Sequence, residues 1–144
     1  MRRSIVMLTL GCIITSAFGQ VSSPTPILPS TVKWMPSPAT PGLESAWFVG
    51  APDKEGMYAQ RVRLSSGAKI APHTHPDARF SVVLSGTIHV GFGETFDEHN
   101  VVAIPVGGMY VAPAGVPHYV WAKDEDATYQ ESGMGPTATN FVKR

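Results

Sequence analysis

Three histidines are the residues whose types and spacing point most directly to chemistry. His73 and His75 are separated by one residue, and His118 follows further along the chain. Successive side chains of a β-strand point to opposite faces, so histidines spaced i, i+2 on an extended segment present both imidazoles on one face. Imidazole nitrogens are common ligands of divalent transition metals. The pair therefore predicts a metal site built on a β-sheet, with His118 as the third candidate ligand.

The segments around these histidines are typical of short β-strands joined by turns. Glycine (14) and proline (13) are frequent for 144 residues, which favours strands and turns over a helical bundle. We expect 118–122 and 127–131 to pair with each other across the turn between them. Residues 93–100 are predicted to be a loop or one helical turn. The predicted strands are 45–49, 57–64, 69–72, 79–84, 87–92, 101–104, 109–112, 118–122 and 127–131, with one more within 137–142. This pattern indicates an all-β fold, either a barrel or a double-sheet jelly roll.

The length, composition and charge of the chain limit the classes of protein to which it can belong. A chain of 144 residues with 43% hydrophobic residues supports one domain with a substantial core. The formal net charge is zero, so no basic surface for nucleic acid is indicated. No internal repeat and no glycine-rich phosphate loop is visible. No serine–histidine–aspartate order and no pair of carboxylates indicates hydrolase chemistry.

The first 19 residues are typical of an export signal. Arg2 and Arg3 precede an apolar run over 5–17, and Ala17-Phe18-Gly19 places small residues where a signal peptidase reads. The run is too short to span a bilayer comfortably. A core helix would need a polar face that this run lacks, and a lipid anchor at Cys12 is a minor alternative. We therefore predict a signal peptide over 1–19 and a periplasmic or secreted protein.

Cleavage after Gly19 would leave a mature chain without cysteine, which excludes disulfides and thiol catalysis. Residues 20–43 are predicted to form a proline-rich extended arm, because proline fixes φ and removes a backbone donor. The part around Trp34 and Met35 is apolar enough to lie against the domain. The domain itself is predicted to span 44–144.

The spacing of histidines, glycines and prolines resembles the two sequence motifs of the cupins, a superfamily of small β-barrels. The first motif matches at Gly67, His73, His75 and Gly86, and the second at Gly107, Pro113, Gly115 and His118. The sequence also resembles a narrower group, the exported bacterial single-domain cupins. The matching segments are Trp34–Pro38, Leu84–Thr87 and Gly135-Pro136. The resemblance implies a cupin jelly-roll β-barrel of antiparallel strands, with His73, His75 and His118 as metal ligands.

The sequence departs from the cupin pattern at two positions. Ala122 replaces an asparagine that is not a ligand, whereas Arg79 replaces the usual glutamate ligand. A guanidinium about 5 Å from a divalent cation would cost roughly 6–7 kcal/mol at an effective dielectric constant near 20. Arg79 must therefore turn away, be neutralised by an anion, or belong to a site that no longer binds metal. A surface salt bridge with Asp77 or Glu131 is the simplest structural role for it, and Asp77 is an alternative oxygen ligand.

If Arg79 is neutralised by a substrate, that substrate is an anion bridging the metal and the guanidinium. Three histidine ligands without the glutamate resemble the cupin dioxygenases of cysteine and of β-diketones. The resemblance implies an exported metal-dependent oxygenase acting on a small organic molecule, with Fe, Mn, Ni, Cu or Zn as the divalent ion. The alternative is a non-catalytic ligand-binding or sensory cupin, with or without metal. Residues expected near the pocket are Tyr58, Phe80, Tyr119 and Gln130. Sheet edges and cupin resemblance lead us to expect a homodimer.

Overall fold

The computed structural model describes residues 25–143, so the predicted signal peptide lies outside the described residues. A short 3₁₀ helix at Pro29–Thr31 precedes the strands. The strands are β1 (Met35–Pro36), β2 (Leu43–Val49), β3 (Gly56–Leu64), β4 (Lys69–Thr74), β5 (Arg79–Ser85), β6 (Ile88–Phe92), β7 (Val102–Ile104), β8 (Met109–Ala112), β9 (His118–Trp121), β10 (Ala127–Gly135) and β11 (Asn140–Phe141). The described chain is therefore almost entirely β-sheet, as the sequence predicts.

These strands form two antiparallel sheets that face each other across the core. Sheet A has the order β1-β2-β3-β10-β5-β8, and sheet B has the order β11-β4-β9-β6-β7. The core between them contains alternate apolar side chains from both sheets, among them Leu64, Val83, Ile88, Val120 and Tyr129. This is the double-sheet jelly-roll arrangement, in which side chains on the inner faces of the two sheets form the core.

The pairing of the two late strands differs from the sequence prediction. β9 lies in sheet B between β4 and β6, whereas β10 lies in sheet A between β3 and β5. The prediction that they pair with each other is wrong, because the connecting turn crosses from one sheet to the other. Its Asp126 carboxylate instead accepts a hydrogen bond from the Ser66 amide at 2.7 Å.

The proline-rich segment contacts the domain at its second half. Met35 and Pro36 pair with Ser45 and Glu44 of β2, and the Arg63 guanidinium stacks 3.6 Å from the centroid of the Trp34 ring. Among residues 25–143, no helix is long and apolar enough to cross a membrane.

Candidate metal centre

His73, His75 and His118 lie together on the inner side of sheet B. Their candidate ligand atoms all lie within 4.8 Å of one another. The ring centroids are 4.8 Å apart for His73 and His75, 4.3 Å for His73 and His118, and 5.1 Å for His75 and His118. All three side chains are buried. The structure thus brings together the three histidines that the sequence singles out.

Strand register explains the convergence of the rings. His73 of β4 pairs directly with His118 of β9, and a register irregularity between Ile70 and His73 re-aims this end of β4. β-Bulges commonly redirect a side chain in this way. His75 follows just past the end of β4, where the chain leaves the sheet.

Backbone carbonyls fix the orientation of each imidazole through its Nδ1 atom. Nδ1 of His73 lies 2.8 Å from the Ala71 carbonyl oxygen, Nδ1 of His75 lies 2.7 Å from that of Ala138, and Nδ1 of His118 lies 3.2 Å from that of Val116. A carbonyl only accepts, so Nδ1 donates in each case. Each Nε2 is then left with a free lone pair, as metal ligation requires.

The hydrogen bonding of the Nε2 atoms tests whether these residues fit a metal ion. Nε2 of His75 and of His118 is buried and forms no hydrogen bond with any residue between 25 and 143. Buried polar atoms without partners are rare in native proteins and call for an explanation such as an ion or water. Three neutral imidazoles leave coordination positions open for water or substrate, as catalytic sites require. The residues present therefore fit a divalent metal ion.

The environment also keeps the imidazoles neutral. Burial, reinforced by the neighbouring His118, lowers the pKa of His73 from its usual value of 6.5 to about 3. Burial and the charge of Arg79 lower the pKa of His75 to about 4, and burial lowers the pKa of His118 as well. Neutral imidazole is the form that binds metals, so no proton has to be released at pH 7.

Arg79 lies at the start of β5 on the inner face of sheet A, where its side chain is only 4% exposed. Its guanidinium donates to Glu131 Oε2 at 3.0 Å through Nη1, and to Asp77 Oδ1 at 3.1 Å through Nη2. Nη2 also donates to the Thr137 hydroxyl. We call Tyr58, Asp77, Arg79, Glu131 and Thr137 the arginine network.

Asp77 accepts three side-chain hydrogen bonds in the arginine network, one of them from Arg79. Its Oδ2 accepts from the Tyr58 hydroxyl at 2.5 Å, and its Oδ1 accepts from the Thr137 hydroxyl at 2.5 Å. Burial alone would raise the pKa of this carboxyl, but the hydrogen bonds from Thr137 and Tyr58 and the charge of Arg79 together lower it. Both carboxylate oxygens of Asp77 are thus engaged inside the protein, and Asp77 does not join the cluster of candidate ligand atoms.

The arginine network resolves the conflict posed by an arginine at this position. Two carboxylates of the chain itself neutralise the guanidinium, so the three charged groups carry a net charge of −1 when all are ionised. Both partners that the sequence suggests for a salt bridge are used, but the pairs are buried rather than on the surface. Two of the three guanidinium nitrogens are engaged, and Nε has no partner among the described residues.

Three of the four residues expected near the pocket lie elsewhere, and strand alternation is the reason. Phe80 and Gln130 point to the outer side of sheet A, where Phe80 is 53% exposed and Gln130 accepts from Arg61 Nε at 3.2 Å. Tyr119 follows His118 and so faces the other side of sheet B, where its hydroxyl donates to the Asp97 and Asn100 carbonyls. Only Tyr58 lies on the inner wall.

A cavity of about 310 Å³ opens between the two sheets beside the histidines, and His73 lines it. Gln60 and Glu131 line it from sheet A, while Phe141 of β11 and the segment 35–40 form other parts of its wall. Sequence reasoning missed Gln60 and gave Glu131 only a surface role. The available signal was a glutamate alternating with Tyr129 and Ala127 on the buried face of β10.

Comparisons with known proteins agree with this architecture. A family profile described as "Cupin domain" matches residues 60–129. Germin-like protein 3-1 of Oryza sativa subsp. japonica is 30% identical over 114 residues, which are 78% of this chain and 48% of that protein. The chain thus spans about half the length of this curated relative.

Solved structures show the same fold at low sequence identity. The polyketide cyclase RemF from Streptomyces resistomycificus aligns with a TM-score of 0.71 at 15% identity, covering 85% of this chain and 87% of that one. A cupin 2 conserved barrel domain protein from Rhodopseudomonas palustris aligns with a TM-score of 0.60 at 13% identity, covering 73% and 72%.

Proposed function

Because this chain belongs to the cupin superfamily, we propose that it is an exported, metal-dependent enzyme acting on a small organic molecule. The observation that supports the proposal is the set of three buried imidazoles whose ligand atoms lie within 4.8 Å of one another. Export rests on the basic and apolar N-terminal sequence alone. In its most specific form, the proposed activity is that of a three-histidine oxygenase.

His73, His75 and His118 would hold the ion, which is Fe, Mn, Ni, Cu or Zn. The bound metal would supply Lewis acidity or, for a redox-active ion, activation of dioxygen. The protein supplies fixed imidazole tautomers through the three backbone carbonyls. It also supplies a half-open cavity beside His73, in which a small substrate would be partly shielded from bulk water. Arg79 would hold the Asp77 and Glu131 carboxylates in place, since its charge is already paired with them.

The metal content of the purified protein tests this proposal directly. We expect the protein, purified without chelators, to contain close to one equivalent of a transition metal by elemental analysis. A His73→Ala/His118→Ala variant should contain almost none, because two of three ligands are lost. A matched His99→Ala variant, which removes a histidine that is 89% exposed, should retain the metal. Equal metal content in all three proteins would contradict the proposal.

The second candidate function is a non-catalytic cupin that binds a small molecule, with or without metal. It is favoured by Arg79, which stands where cupins usually provide a fourth ligand. Dioxygen consumption by the Fe(II)-loaded protein, tested with a set of small phenols and diketones, separates the two. Turnover that disappears in the His73→Ala/His118→Ala variant supports the enzyme. Binding of a set member to the metal-free protein without turnover in the loaded form supports the binding protein.

We also propose that the protein is a homodimer in which each copy covers the outer side of sheet A. This outer apolar face consists of exposed side chains on neighbouring strands, namely Val49, Met57, Phe80, Met109, Val111 and Met134. Phe80 pairs with Ser132 on one side and with Val111 on the other, so no charge interrupts its row. Monomers rarely expose contiguous apolar patches of this kind. An uncharged patch can meet a second copy of itself without like-charge repulsion, as a two-fold interface requires.

A further inference from the structure

The inner wall of sheet A carries a row of polar side chains opposite the histidines. Gln60, Glu131, Ser81 and Tyr110 occupy paired positions on four neighbouring strands: Glu131 pairs with Gln60 and with Ser81, and Ser81 pairs with Tyr110. Paired residues of antiparallel strands share a face. We call these four residues the polar row.

The polar row has more hydrogen-bonding capacity than its neighbours use. Glu131 Oε2 accepts from Arg79 at 3.0 Å and from Gln60 Nε2 at 3.5 Å, whereas Oε1 has no hydrogen bond among the described residues. The hydroxyls of Ser81 and Tyr110 are buried beside each other and have no hydrogen-bond partner among residues 25–143 other than one another. Glu131, Ser81 and Tyr110 are at most 8% exposed. Such buried groups cost free energy unless a ligand or water satisfies them.

The polar row also faces the candidate metal centre. The Tyr110 ring centroid lies 6.2 Å from that of His118. Gln60 and Glu131 line the same cavity as His73. A molecule in this cavity would therefore contact sheet B beside His73 and sheet A through Gln60 and Glu131, whereas Ser81 and Tyr110 do not line the cavity.

The chemistry of the polar row indicates what that molecule carries. A carboxylate oxygen only accepts hydrogen bonds, so Glu131 Oε1 calls for a donor. A second carboxylate placed against Oε1 would be repelled, and the Arg79 charge that could attract it is already paired with Asp77 and Glu131. The rest of the cavity wall includes apolar groups such as Leu43, Val62, Ile70 and Phe141, which suit a carbon skeleton.

We infer that Gln60 and Glu131 of the polar row form a substrate-binding wall, in which Glu131 Oε1 accepts a hydrogen bond from a hydroxyl of a small, neutral organic molecule. This rests on the proposed function for the role of the histidines, but the binding itself does not require a metal. It replaces the expectation that Arg79 binds an anionic substrate. Glu131 thereby becomes a specificity-determining residue, with Arg79 positioning its carboxylate.

Binding calorimetry with catechol and benzoate tests the inference, because the two probes have similar rings but opposite polar requirements. Catechol is neutral and donates hydrogen bonds, whereas benzoate is an anion that only accepts. We expect the metal-free protein, in which neither probe can bind an ion, to bind catechol more tightly than benzoate. Glu131→Gln should weaken catechol binding by about 10- to 100-fold, the range for a hydrogen bond to a charged group. The same variant should bind benzoate equally well or more tightly.

Controls separate the polar row from general effects of the substitution. Glu44→Gln removes the same charge at an exposed position of β2 and should leave both affinities unchanged. If Glu131→Gln does not fold, Glu131→Asp retains the charge beside Arg79 but shortens the reach into the cavity. It should also weaken catechol binding. Unchanged catechol affinity in whichever Glu131 variant folds, or tighter binding of benzoate than of catechol by the unaltered protein, would overturn the inference.

The same titrations distinguish this inference from the proposed function. If the purified protein takes up no metal, the proposed enzyme is wrong, yet catechol titrated into metal-free protein still reports on Glu131. If metal binds stoichiometrically but Glu131→Gln changes neither probe, the polar row is wrong and the metal site stands.

Discussion

Two polar clusters inside this barrel, the arginine network on sheet A and the three histidines on sheet B, satisfy their polar groups in opposite ways. On sheet A, Arg79 is paired with Asp77 and Glu131, and Asp77 is saturated by Tyr58 and Thr137. On sheet B, each of the three imidazoles is anchored only through Nδ1, and the buried Nε2 atoms of His75 and His118 remain without partners. The charges of the arginine network are thus closed on one another, with only Arg79 Nε and Glu131 Oε1 unpaired among the described residues, whereas the histidine Nε2 atoms remain available to a ligand.

This difference distinguishes the buried polar groups that matter for stability from those that matter for ligand binding. A buried group that is fully paired inside the chain stabilises the fold only as part of its set, so removing one member leaves a charge exposed to an apolar interior. A buried group that is unpaired lowers stability, and that cost is recovered when a ligand pairs with it. We therefore expect substitutions that open the arginine network to affect unfolding most, and those at the histidines to affect metal binding most.

The largest expected effect comes from opening the arginine network. Arg79→Leu should lower the free energy of unfolding by about 3–5 kcal/mol, because the Asp77 and Glu131 carboxylates lose their shared counter-ion in a buried site. Urea denaturation of the metal-free protein measures this loss. The matched control is Arg63→Leu, which removes an exposed guanidinium stacked on Trp34 and should cost about 0.5–1 kcal/mol. Similar losses for both variants would contradict a closed network.

A smaller effect is expected from removing one hydrogen bond to Asp77. Tyr58→Phe deletes the 2.5 Å bond to Asp77 Oδ2 and should cost about 1.5–3 kcal/mol, since the acceptor is a charged, buried carboxylate. Tyr119→Phe is the same chemical change on the outer side of sheet B, where the acceptors are neutral carbonyls. It should cost about 0.5–1.5 kcal/mol. Thermal or urea unfolding of both variants compares them, and an equal cost would argue against a charged Asp77.

Substitution of one of the three histidines should have a small effect on stability and a large effect on metal affinity. His118→Leu should change the unfolding free energy of the metal-free protein by less than about 1 kcal/mol, because a similarly sized apolar group replaces an imidazole whose Nε2 is unpaired. The same variant should lose at least about 100-fold in metal affinity. This is more than is usually lost when a residue that hydrogen-bonds to a metal ligand is replaced. Competition with a chromophoric chelator measures the affinity. A large loss of stability without loss of metal would reverse the comparison.

The smallest expected effect on the fold lies outside both clusters, on the outer apolar face. Phe80→Asp should change the unfolding free energy of the monomer by no more than about 0.5 kcal/mol, because Phe80 is 53% exposed. It should nevertheless convert the proposed dimer to a monomer, as measured by sedimentation. Val102→Asp places the same charge on a 68% exposed side chain of β7 in sheet B and should leave the mass unchanged. A monomeric unaltered protein would contradict the dimer.

The sequence by itself determined the strands and the three metal-ligand candidates. Period-two alternation placed β3, β5 and β8 within a residue or two of their observed bounds, because burial of one face imposes that pattern. His73 and His75 converge because their spacing puts them on one side, and the second motif predicts that His118 joins them. Alternation also decides that Phe80, Tyr119 and Gln130 point outward, once the face of their neighbours is known.

Only the tertiary structure decided which groups meet across the barrel. The turn between β9 and β10 carries the chain from one sheet to the other, and local sequence does not specify such a crossing. Pairing of β10 with both β3 and β5 then brings Glu131, from 52 residues further along the chain, to Arg79. From the sequence alone, an arginine in place of a glutamate ligand shows only that its positive charge must be neutralised. Whether a substrate or the chain itself provides the counter-charge depends on long-range packing, and here the chain provides it.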